Sequence, residues 1–517
     1  MDSVISKSIV WTIAGSDSGG GAGIQADLAT INDLGCHGCT VITALTVQNS
    51  VAVEQVEPVS VDLMLQQLNC LLKDLPPNAI KVGLLCNQAQ INALANWLAI
   101  ILTDYQTRHG VSIAVVVDPV MVASCGDALA NGLDFSPLTG LITLFTPNSA
   151  ELSVLMRKPL NTLSEVSLAA TTLASTLGCN ILAKGGDKGG LWHKDSAKDL
   201  YVCAEVDRVS ARHQHRQFML SSQRVDSRNN HGSGCSLSSA IAAAMAKGYV
   251  LHDAVVIAKA YVTAGIRDGY QLGDGPGPLA RTGWPKSLEM FPSIASFDDG
   301  PSLQAASAFK KLDTSIGVYP VVSSIAVLES LLKAGAKTIQ LRVKSVDDPL
   351  LEQKIQQAIS LGETYQAQVF INDHWQLAIT HGASGIHLGQ EDLYHADLAV
   401  ILQSGIALGV SSHGYFELLL AAQIKPSYIA VGHIFATTTK EMPSLPQGLD
   451  RLRHYAELLE NHFPSVAIGG IDINNLAAVK ATGVNNVAVV RAVSNALSPA
   501  DAYRTLSQGW EAINVTE

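Results

Sequence analysis

The 517-residue chain lacks several features that mark particular classes of protein. All eight cysteines lie between Cys36 and Cys235, a distribution that fits no disulfide framework and suits a reducing cytoplasm. No stretch of about 18 apolar residues occurs, so we expect no membrane span. The 34 Lys and Arg residues are outnumbered by 45 Asp and Glu, which argues against a nucleic-acid surface. We therefore expect a cytoplasmic protein whose partners are small molecules, with assembly into a homo-oligomer left open.

The composition and its order along the chain indicate two large α/β domains. An apolar fraction of 47% is ample for sizeable cores. Short β-branched runs alternate with longer Ala- and Leu-rich runs, the pattern of a parallel sheet covered by helices. Many Pro and Gly residues interrupt this pattern between Gln271 and Ser315. We predict a first domain over residues 1–286, a linker over 287–313 and a second domain over 314–517.

The second domain contains eight candidate strands. They are Ile316–Val322, Thr338–Val343, Gln368–Asp373, Gly385–Gly389, Ile406–Ser412, Tyr428–Ile434, Ser465–Ile471 and Asn486–Val493. Eight βα units are what a closed (β/α)8 TIM barrel requires, and an open doubly wound sheet is the alternative. Polar residues cluster at the C-terminal ends of these strands, where the active sites of barrels lie.

The residues at these strand ends favour two anion sites. Asp373 and Asp392 end successive units, and two neighbouring carboxylates favour Mg²⁺, although both could also be ordinary helix caps. Three cationic side chains converge on the same mouth, namely Arg342, Lys344 and Lys440. Together they suit a diphosphate, because Arg binds phosphate oxygens in pairs and Lys adds a point charge. Gly469 and Gly470 offer backbone N–H groups to a second, monophosphate site.

The second domain resembles the thiamine phosphate synthase family over about residues 315–510. The motifs are Q-L-R-x-K, I-N-D, H-L-G-Q-E-D, L-G-V-S, T-T-T-K and A-I-G-G-I, in that order. The resemblance implies that a hydroxymethylpyrimidine diphosphate loses pyrophosphate and that a thiazole phosphate nitrogen then attacks the pyrimidine-methyl cation. It also implies that Asp373 and Asp392 bind Mg²⁺.

The same resemblance assigns two sets of ligand-binding residues. The pyrimidine diphosphate set is Gln340, Leu341, Arg342, Val343, Lys344, Asn372, Ser411 and Lys440. The thiazole phosphate set is Thr437, Thr438, Thr439, Gly470, Val490 and Arg491. Within the first set, Arg342 and Lys440 are expected to be catalytic. The family usually has Ser where this chain has Arg491, so backbone contacts are the part of that role that carries over.

Two glycine-rich loops stand out in the first domain. The loop from Gly15 to Asp27 opens a helix but lacks the G-K-[ST] of a P-loop, so a structural turn and a ligand loop both remain open. The later loop, Gly232-Ser233-Gly234-Cys235, precedes an Ala-rich helix and can gather backbone N–H groups around an anion. Cys235 falls in the first helical turn, where we expect a lowered thiol pKa and a general base. A small buried helix residue is the alternative.

Further polar residues of the first domain suit phosphoryl transfer. Asn148 and Glu151 stand three apart at a helix start and could anchor Mg²⁺ and phosphate. Lys184 follows the strand Asn180–Ala183 and precedes two glycines, where a nucleotide could approach the backbone. Asp118 could lie beside the metal or cap a strand end.

The first domain resembles the hydroxymethylpyrimidine/phosphomethylpyrimidine kinases of the ribokinase-like superfamily over about residues 8–285. The motifs are A-G-S-D-S-G-G-G-A-G-I-Q-A-D, T-V-Q-N, D-P-V-M, T-P-N-x-x-E, A-K-G-G and H-G-S-G-C. The resemblance implies a three-layer α/β/α domain that uses ATP twice. It makes Cys235 the base and places Gln48 and Asp27 at the pyrimidine. The implied phosphate and ATP ligands are Asn148, Glu151, Lys184, Gly232, Ser233 and Gly234.

The product implied for the first domain is the substrate implied for the second. The sequence therefore predicts a bifunctional enzyme that makes thiamine phosphate from hydroxymethylpyrimidine, ATP and thiazole phosphate, with Mg²⁺ as cofactor. Three alternatives are a pyridoxal-type kinase fused to a barrel, a barrel that is a non-catalytic ligand-binding or regulatory module, and a pure scaffold.

Overall fold

The computed structural model describes residues 7–121, 129, 132–186, 195–204, 217–296, 307–345, 347–437 and 445–513. The chain divides into two compact units. They are Met1–Pro285 with Glu289–Gly300, and Lys286–Leu288 with Pro301–Glu517. The predicted limits of the linker stay a prediction. No helix in the described ranges has the length and apolar character that crossing a membrane requires.

The first unit is a ten-stranded sheet with helices on both faces. Its strands are β1 (Ile9–Ser16), β2 (His37–Gln48), β3 (Val53–Pro58), β4 (Ala79–Val82), β5 (Ala114–Val117), β6 (Leu144–Phe145), β7 (Asn180–Lys184), β8 (Ser196–Val202), β9 (Gln217–Gln223) and β10 (Ser293–Ser296). Its α-helices are α1 (Gly23–Asp33), α2 (Val61–Asp74), α3 (Gln88–His109), α4 (Ser149–Leu155), α5 (Leu163–Leu177), α6 (Ser233–Ala246) and α7 (Leu251–Arg267). The strand order is β10-β9-β8-β7-β6-β5-β4-β1-β2-β3.

Strand β1 shows why this sheet has two covered faces. Alternate residues of a strand point to opposite faces. Trp11 and Ile13 pack into a core that includes Met64 of α2 and Leu94 of α3. Thr12, between them, points to the other face and donates to Asp27 of α1. The three-layer α/β/α prediction is confirmed.

The order of the central strands positions a ligand crevice. Strand β1 pairs in parallel with β2 on one side and with β4 on the other, so the chain changes direction across the sheet at β1. Ligands of open α/β sheets bind beyond the carboxyl ends of the strands at such a switch point. The first glycine-rich loop follows β1 directly and therefore lies at this crevice.

Strand β10 was not foreseen, since its residues fall within the predicted linker. It pairs antiparallel with β9 at the edge of the sheet. Only Ile294 among its four residues is fully buried. One buried side chain in four residues gives no usable alternation of polar and apolar residues, so the sequence pattern could not reveal this strand.

The second unit is a closed barrel of eight parallel strands. The strands are β11 (Val318–Val322), β12 (Thr338–Leu341), β13 (Gln368–Asn372), β14 (Gly385–Leu388), β15 (Ala407–Ser412), β16 (Tyr428–Gly432), β17 (Ser465–Ile468) and β18 (Asn486–Val489). The helices are α8 (Ile325–Lys333), α9 (Leu351–Tyr365), α10 (Trp375–Thr380), α11 (Gln390–Leu393), α12 (Leu398–Ser404), α13 (Tyr415–Ile424), α14 (Gly448–Leu459), α15 (Leu476–Lys480), α16 (Arg491–Ser494) and α17 (Pro499–Ala512).

All eight predicted barrel strands are present, and the pairing of β11 with β18 closes the sheet. The open doubly wound alternative is therefore wrong. Six of the eight predicted strands run one to four residues too far at their C-terminal ends, whereas β11 and β15 end where predicted. The largest such error is at β18, which ends at Val489, because Arg491 already begins helix α16.

Candidate active sites

One buried carboxylate organises the loop between β1 and α1. Asp17 accepts hydrogen bonds from the backbone N–H groups of Gly19 at 2.8 Å, Gly21 at 3.1 Å and Ala22 at 2.8 Å. His231 Nε2 lies 3.2 Å from the same carboxylate. Burial opposes ionisation, but the hydrogen bonds from His231, Ala22 and Gly19 outweigh it and lower the Asp17 pKa. Asp17 therefore joins the early loop to the loop that precedes α6.

These two loops pack so closely that only glycine fits. A Cβ on Gly21 would lie 2.0 Å from His231 Cδ2. Gly232 has φ +76°, and its Cβ would lie 2.0 Å from the Gly21 carbonyl oxygen. The early loop is thus part of the wall around the α6 N-terminus, which favours the ligand-loop interpretation over an isolated turn.

The start of α6 gathers backbone N–H groups and a lysine. Gly232 is the N-cap, and no side chain caps the helix. A Cβ on Gly234 would lie 3.2 Å from Lys184 Nζ and 3.4 Å from Asp118 Oδ2. Lys184 Nζ lies 2.7 Å from Asp118 Oδ1 and 4.0 Å from Glu151 Oε2. The ammonium group of Lys184 thus stands beside the helix N-terminus together with its partner carboxylate, Asp118. A helix N-terminus and an ammonium group both favour an anion.

Asn148 and Glu151 form a capping box at the start of α4. Asn148 Oδ1 accepts from the Glu151 N–H at 2.8 Å, and Glu151 Oε2 accepts from the Asn148 N–H at 2.7 Å. The pair therefore orders this helix start as well as facing Lys184. Its predicted role in binding phosphate or Mg²⁺ stays a prediction.

The environment of Cys235 differs from the expected one. Burial raises the pKa of its thiol to about 11, and the charges of Asp27 and Asp118 act in the same direction. Lys81 and the Gly23 N–H act against this shift. The prediction of a lowered thiol pKa is therefore wrong, because desolvation outweighs the effect of the helix terminus.

Asp27 lies in a buried cluster of hydrogen-bond donors. Its side chain is fully buried and accepts from Thr12 Oγ1 at 2.5 Å, Ser239 Oγ at 2.7 Å and Lys81 Nζ at 2.7 Å. The carboxylate therefore pairs with the ammonium group of Lys81. The predicted contact of Asp27 with a pyrimidine stays a prediction.

Lys81 is the residue of this site that the sequence reasoning missed. It is fully buried in β4, and although desolvation opposes its charge, Asp27 and then Cys235 and Asp118 raise its pKa. It therefore carries a positive charge beneath the thiol. A lysine inside the apolar strand Ala79–Val82 was an available signal, because a buried lysine is almost always paired.

Gln48 lies at the end of β2 against the early loop. Ser18 Oγ donates to the Gln48 carbonyl at 2.7 Å, and the Gln48 N–H donates back at 2.9 Å. Its amide is partly exposed, and its predicted contact with a pyrimidine stays a prediction.

The barrel brings the predicted amide and carboxylate residues together at its C-terminal face. Gln340 Nε2 donates to Asn372 Oδ1 at 2.6 Å, and Asn372 Nδ2 donates to Asp373 Oδ2. Asp373 follows β13 with φ +65°. Asp392 lies in the first turn of α11, just after the neighbouring strand β14. Carboxylates are the hard oxygen ligands that Mg²⁺ prefers, and the two strands that precede these residues are neighbours. The binding of Mg²⁺ by Asp373 and Asp392 stays a prediction.

Buried and exposed side chains alternate at the end of β12 and just after it. Arg342 is partly exposed and Lys344 is exposed, whereas Leu341 and Val343 are buried. The Val343 carbonyl lies 3.2 Å from His374 Nε2. The predicted contacts of the Q-L-R-V-K set with a diphosphate stay a prediction.

A line of hydrogen-bonded side chains runs into the barrel from Ser411. Ser411 Oγ lies 2.8 Å from His387 Nε2, His387 Nδ1 lies 2.8 Å from the Tyr428 hydroxyl, and that hydroxyl lies 3.0 Å from the Tyr319 hydroxyl. Gln390 Nε2 donates to the Ser411 carbonyl at 2.6 Å. Of these residues, Ser411 is the predicted site residue, and the sequence analysis assigns no role to the others.

The residues predicted to form a second anion site include two glycines and the start of a short helix. Gly469 and Gly470 have φ +106° and +68°, and a Cβ on Gly470 would lie 2.7 Å from Phe435 Cβ. Val490 is the N-cap of α16 and Arg491 its first residue. Thr437 is described, whereas Thr438, Thr439 and Lys440 lie outside the described residues.

Comparisons with known proteins match the two units separately. Residues 17–280 match the model of the phosphomethylpyrimidine kinase family, and residues 318–493 match the model of the thiamine monophosphate synthase family. The thiamine-phosphate synthase of Yersinia pestis (strain Pestoides F) is 53% identical over 190 residues, which are 37% of this chain and 88% of that protein. The thiamine-phosphate synthase of Proteus mirabilis (strain HI4320) is 55% identical over 190 residues, with the same coverage of 37% and 88%.

Solved structures also align with each unit. A pyridoxal kinase from Staphylococcus aureus in complex with AMP-PCP and pyridoxal is 29% identical, with TM-score 0.46, covering 56% of this chain and 98% of that one. A thiamine phosphate pyrophosphorylase from Pyrococcus furiosus is 27% identical, with TM-score 0.35, covering 38% and 96%. A phosphomethylpyrimidine kinase from Clostridium difficile 630 is 29% identical, with TM-score 0.38, covering 50% and 98%.

Proposed function

Because this chain belongs to the phosphomethylpyrimidine kinase family through residues 17–280 and to the thiamine-phosphate synthase family through its barrel, we propose that it makes thiamine phosphate by two successive reactions. It is a bifunctional enzyme of thiamine biosynthesis, with a kinase domain and a transferase domain. The proposed first reaction phosphorylates 4-amino-5-hydroxymethyl-2-methylpyrimidine to its mono- and diphosphate with ATP. The second condenses the diphosphate with 4-methyl-5-(2-phosphoethyl)thiazole and releases pyrophosphate.

In the proposed kinase reaction, the substrate oxygen attacks the γ-phosphorus of ATP and the bond to the β-phosphate oxygen breaks. The proton of the pyrimidine alcohol passes to the sulfur of Cys235, which requires the thiolate beforehand. Lys81 is the buried cation that favours this thiolate, against the raised pKa of the thiol. The N–H groups at the start of α6 and the ammonium group of Lys184 stabilise the charge on the transferring phosphoryl group.

In the proposed synthase reaction, the bond between the pyrimidine methylene carbon and the diphosphate oxygen breaks first. The electron pair leaves with the diphosphate, and the thiazole nitrogen then donates its lone pair to the methylene carbon. Arg342, Lys344 and Lys440 offset the charge of the leaving group. Mg²⁺ held by Asp373 and Asp392 would supply further positive charge at the diphosphate. The N–H groups near Gly470 and Val490 hold the thiazole phosphate.

The observation that carries the kinase half is the position of Lys184, whose Nζ stands 3.2 Å from the site of a Gly234 Cβ at the open N-terminus of α6. That arrangement suits a transferring phosphoryl group and leaves the thiol of Cys235 on the same helical turn. A cytoplasmic location and assembly into a homo-oligomer remain part of the proposal.

A pair of substitutions tests the division of labour. Cys235→Ala should abolish phosphorylation of the pyrimidine alcohol and leave the condensation of supplied diphosphate unchanged. Asp373→Ala should reduce condensation and leave phosphorylation unchanged. The exposed Cys70→Ala is the matched control and should affect neither reaction. Loss of both reactions in either variant, with the fold intact, would contradict the proposal.

Pyridoxal should be a poorer phosphate acceptor than the pyrimidine alcohol, and the reverse would favour a pyridoxal-type kinase.

A further inference from the structure

Four side chains form a single hydrogen-bonded line that begins at the barrel mouth and ends in its interior. Ser411 is partly buried, whereas His387, Tyr428 and Tyr319 are 7%, 0% and 1% exposed. Both ring nitrogens of His387 lie 2.8 Å from a hydroxyl oxygen. Neutral histidine has one N–H donor and one acceptor nitrogen. The hydrogen bonds along the line therefore all donate either inward, from Ser411 to Tyr319, or outward, from Tyr319 to Ser411.

The interior end of the line decides between these directions. Among the described residues, the Tyr319 hydroxyl has Tyr428 as its single hydrogen-bond partner. Burial raises the pKa of both Tyr319 and Tyr428, so both hydroxyls keep their proton. If hydrogens pointed inward from Ser411, the Tyr319 O–H would be a buried donor with no acceptor among these residues. If they point outward, Tyr319 donates to Tyr428 and leaves only a lone pair unused.

An unsatisfied buried donor is rarer and more costly than an unused acceptor lone pair. The outward direction is therefore favoured: Tyr319 donates to Tyr428, Tyr428 donates to His387 Nδ1, and His387 Nε2–H donates to Ser411 Oγ. A doubly protonated His387 would again force Tyr428 to donate to Tyr319.

We propose that His387 is a positioning residue of the synthase, which carries its proton on Nε2 and so turns the Ser411 hydroxyl hydrogen toward the barrel mouth, where it donates to an acceptor atom of the pyrimidine diphosphate. The proposal rests on the proposed function of the barrel. Gln390 supports it, because its bond to the Ser411 carbonyl fixes the backbone that carries the hydroxyl. The site then selects an acceptor at this point of the ligand.

The tautomer can be read without substrate. The full chain is labelled with ¹⁵N-histidine, and the His387 signals are assigned by their loss in His387→Gln. We expect the protonated nitrogen to be Nε2, both in the wild type and in Tyr319→Phe, because Tyr428 can still donate to Nδ1. A proton on Nδ1, or a tautomer that changes in Tyr319→Phe, would overturn the proposal. This readout stands even if the barrel proves to catalyse another reaction.

Kinetics then test the connection to Ser411. His387→Leu and Ser411→Ala should each lower the kcat of condensation by about 10- to 100-fold, as expected for loss of one buried hydrogen bond. The double variant should be no slower than Ser411→Ala alone, since both changes remove the same directed hydroxyl. His387→Gln should retain more activity than His387→Leu, because an amide can also donate to Ser411. Multiplicative losses in the double variant would show that His387 does not act through Ser411.

If wild-type enzyme does not condense supplied diphosphate at all, the proposed function fails, whereas the tautomer result is unaffected.

Discussion

The buried ion pair of Lys81 and Asp27 should make the kinase domain sensitive to loss of either charge alone. Removal of both charges together should cost much less. Both side chains are 0% exposed and their charged atoms lie 2.7 Å apart. In Lys81→Met the Asp27 carboxylate keeps the hydroxyl donors Thr12 and Ser239 but loses its counter-charge. Breaking a buried pair in this way costs about 3–5 kcal/mol. Because two donors remain, we expect the free energy of unfolding to fall by about 3 kcal/mol, the lower end of this range.

The second variant in this series is Lys81→Met combined with Asp27→Asn. This double variant removes both charges and should recover most of the loss, to within about 1–2 kcal/mol of the wild type. The matched control is Lys158→Met. That lysine lies 3.9 Å from Glu165 with side chains 62% and 33% exposed, so its loss should have little effect on the free energy of unfolding.

Hydrogen exchange is the suitable assay, because a chain of two units need not unfold in one step. The opening free energy of amides in β1 and β4 is measured by mass spectrometry, with barrel strand peptides as the internal reference. A Lys81→Met cost as small as that of Lys158→Met would refute the reasoning. So would a double variant that is less stable than either single one.

Three further outcomes follow from the geometry of the two sites. Gly232→Ala should lower the kcat of phosphorylation at least about 10-fold and spare condensation, because its Cβ would meet the Gly21 carbonyl at 2.0 Å; unchanged phosphorylation would contradict this. Asp17 has a lowered folded-state pKa, so its stabilisation is present above the unfolded pKa of about 3.9 and is lost as the pH falls through the folded value. The midpoint temperature of thermal unfolding should therefore fall less in acid for Asp17→Asn than for the wild type. An equal fall in both proteins would show that Asp17 does not contribute this stabilisation. Asp373→Asn should raise the Mg²⁺ concentration for half-maximal condensation about 10-fold or more, and an unchanged requirement would remove Asp373 from the metal site.

The barrel was predictable because each parallel strand, buried on both faces, appears as a short β-branched run of its own. Strand ends were less accurate: Arg491 begins helix α16, since hydrogen bonding to the neighbouring strand stops before the apolar run does. Motifs also placed Lys184 and Gly234 in one site, which the geometry of α6 supports.

The remaining features depend on contacts that no local pattern contains. Asp27 and Lys81 are 54 residues apart, and only the pairing of β1 with β4 brings them together. His387 and Tyr428 occupy positions that fill a barrel, so their hydrogen bonds are visible only in three dimensions. The raised pKa of Cys235 reflects burial, which a helix-terminus argument does not include.

The most direct measurement of the central claim uses the purified full chain with the pyrimidine alcohol, Mg-ATP and thiazole phosphate, and follows products by mass spectrometry. We expect the pyrimidine monophosphate, then its diphosphate, and then thiamine phosphate with pyrophosphate, none of which should form without ATP. Phosphorylated pyrimidine that accumulates without any thiamine phosphate, even when diphosphate is supplied directly, would contradict the account.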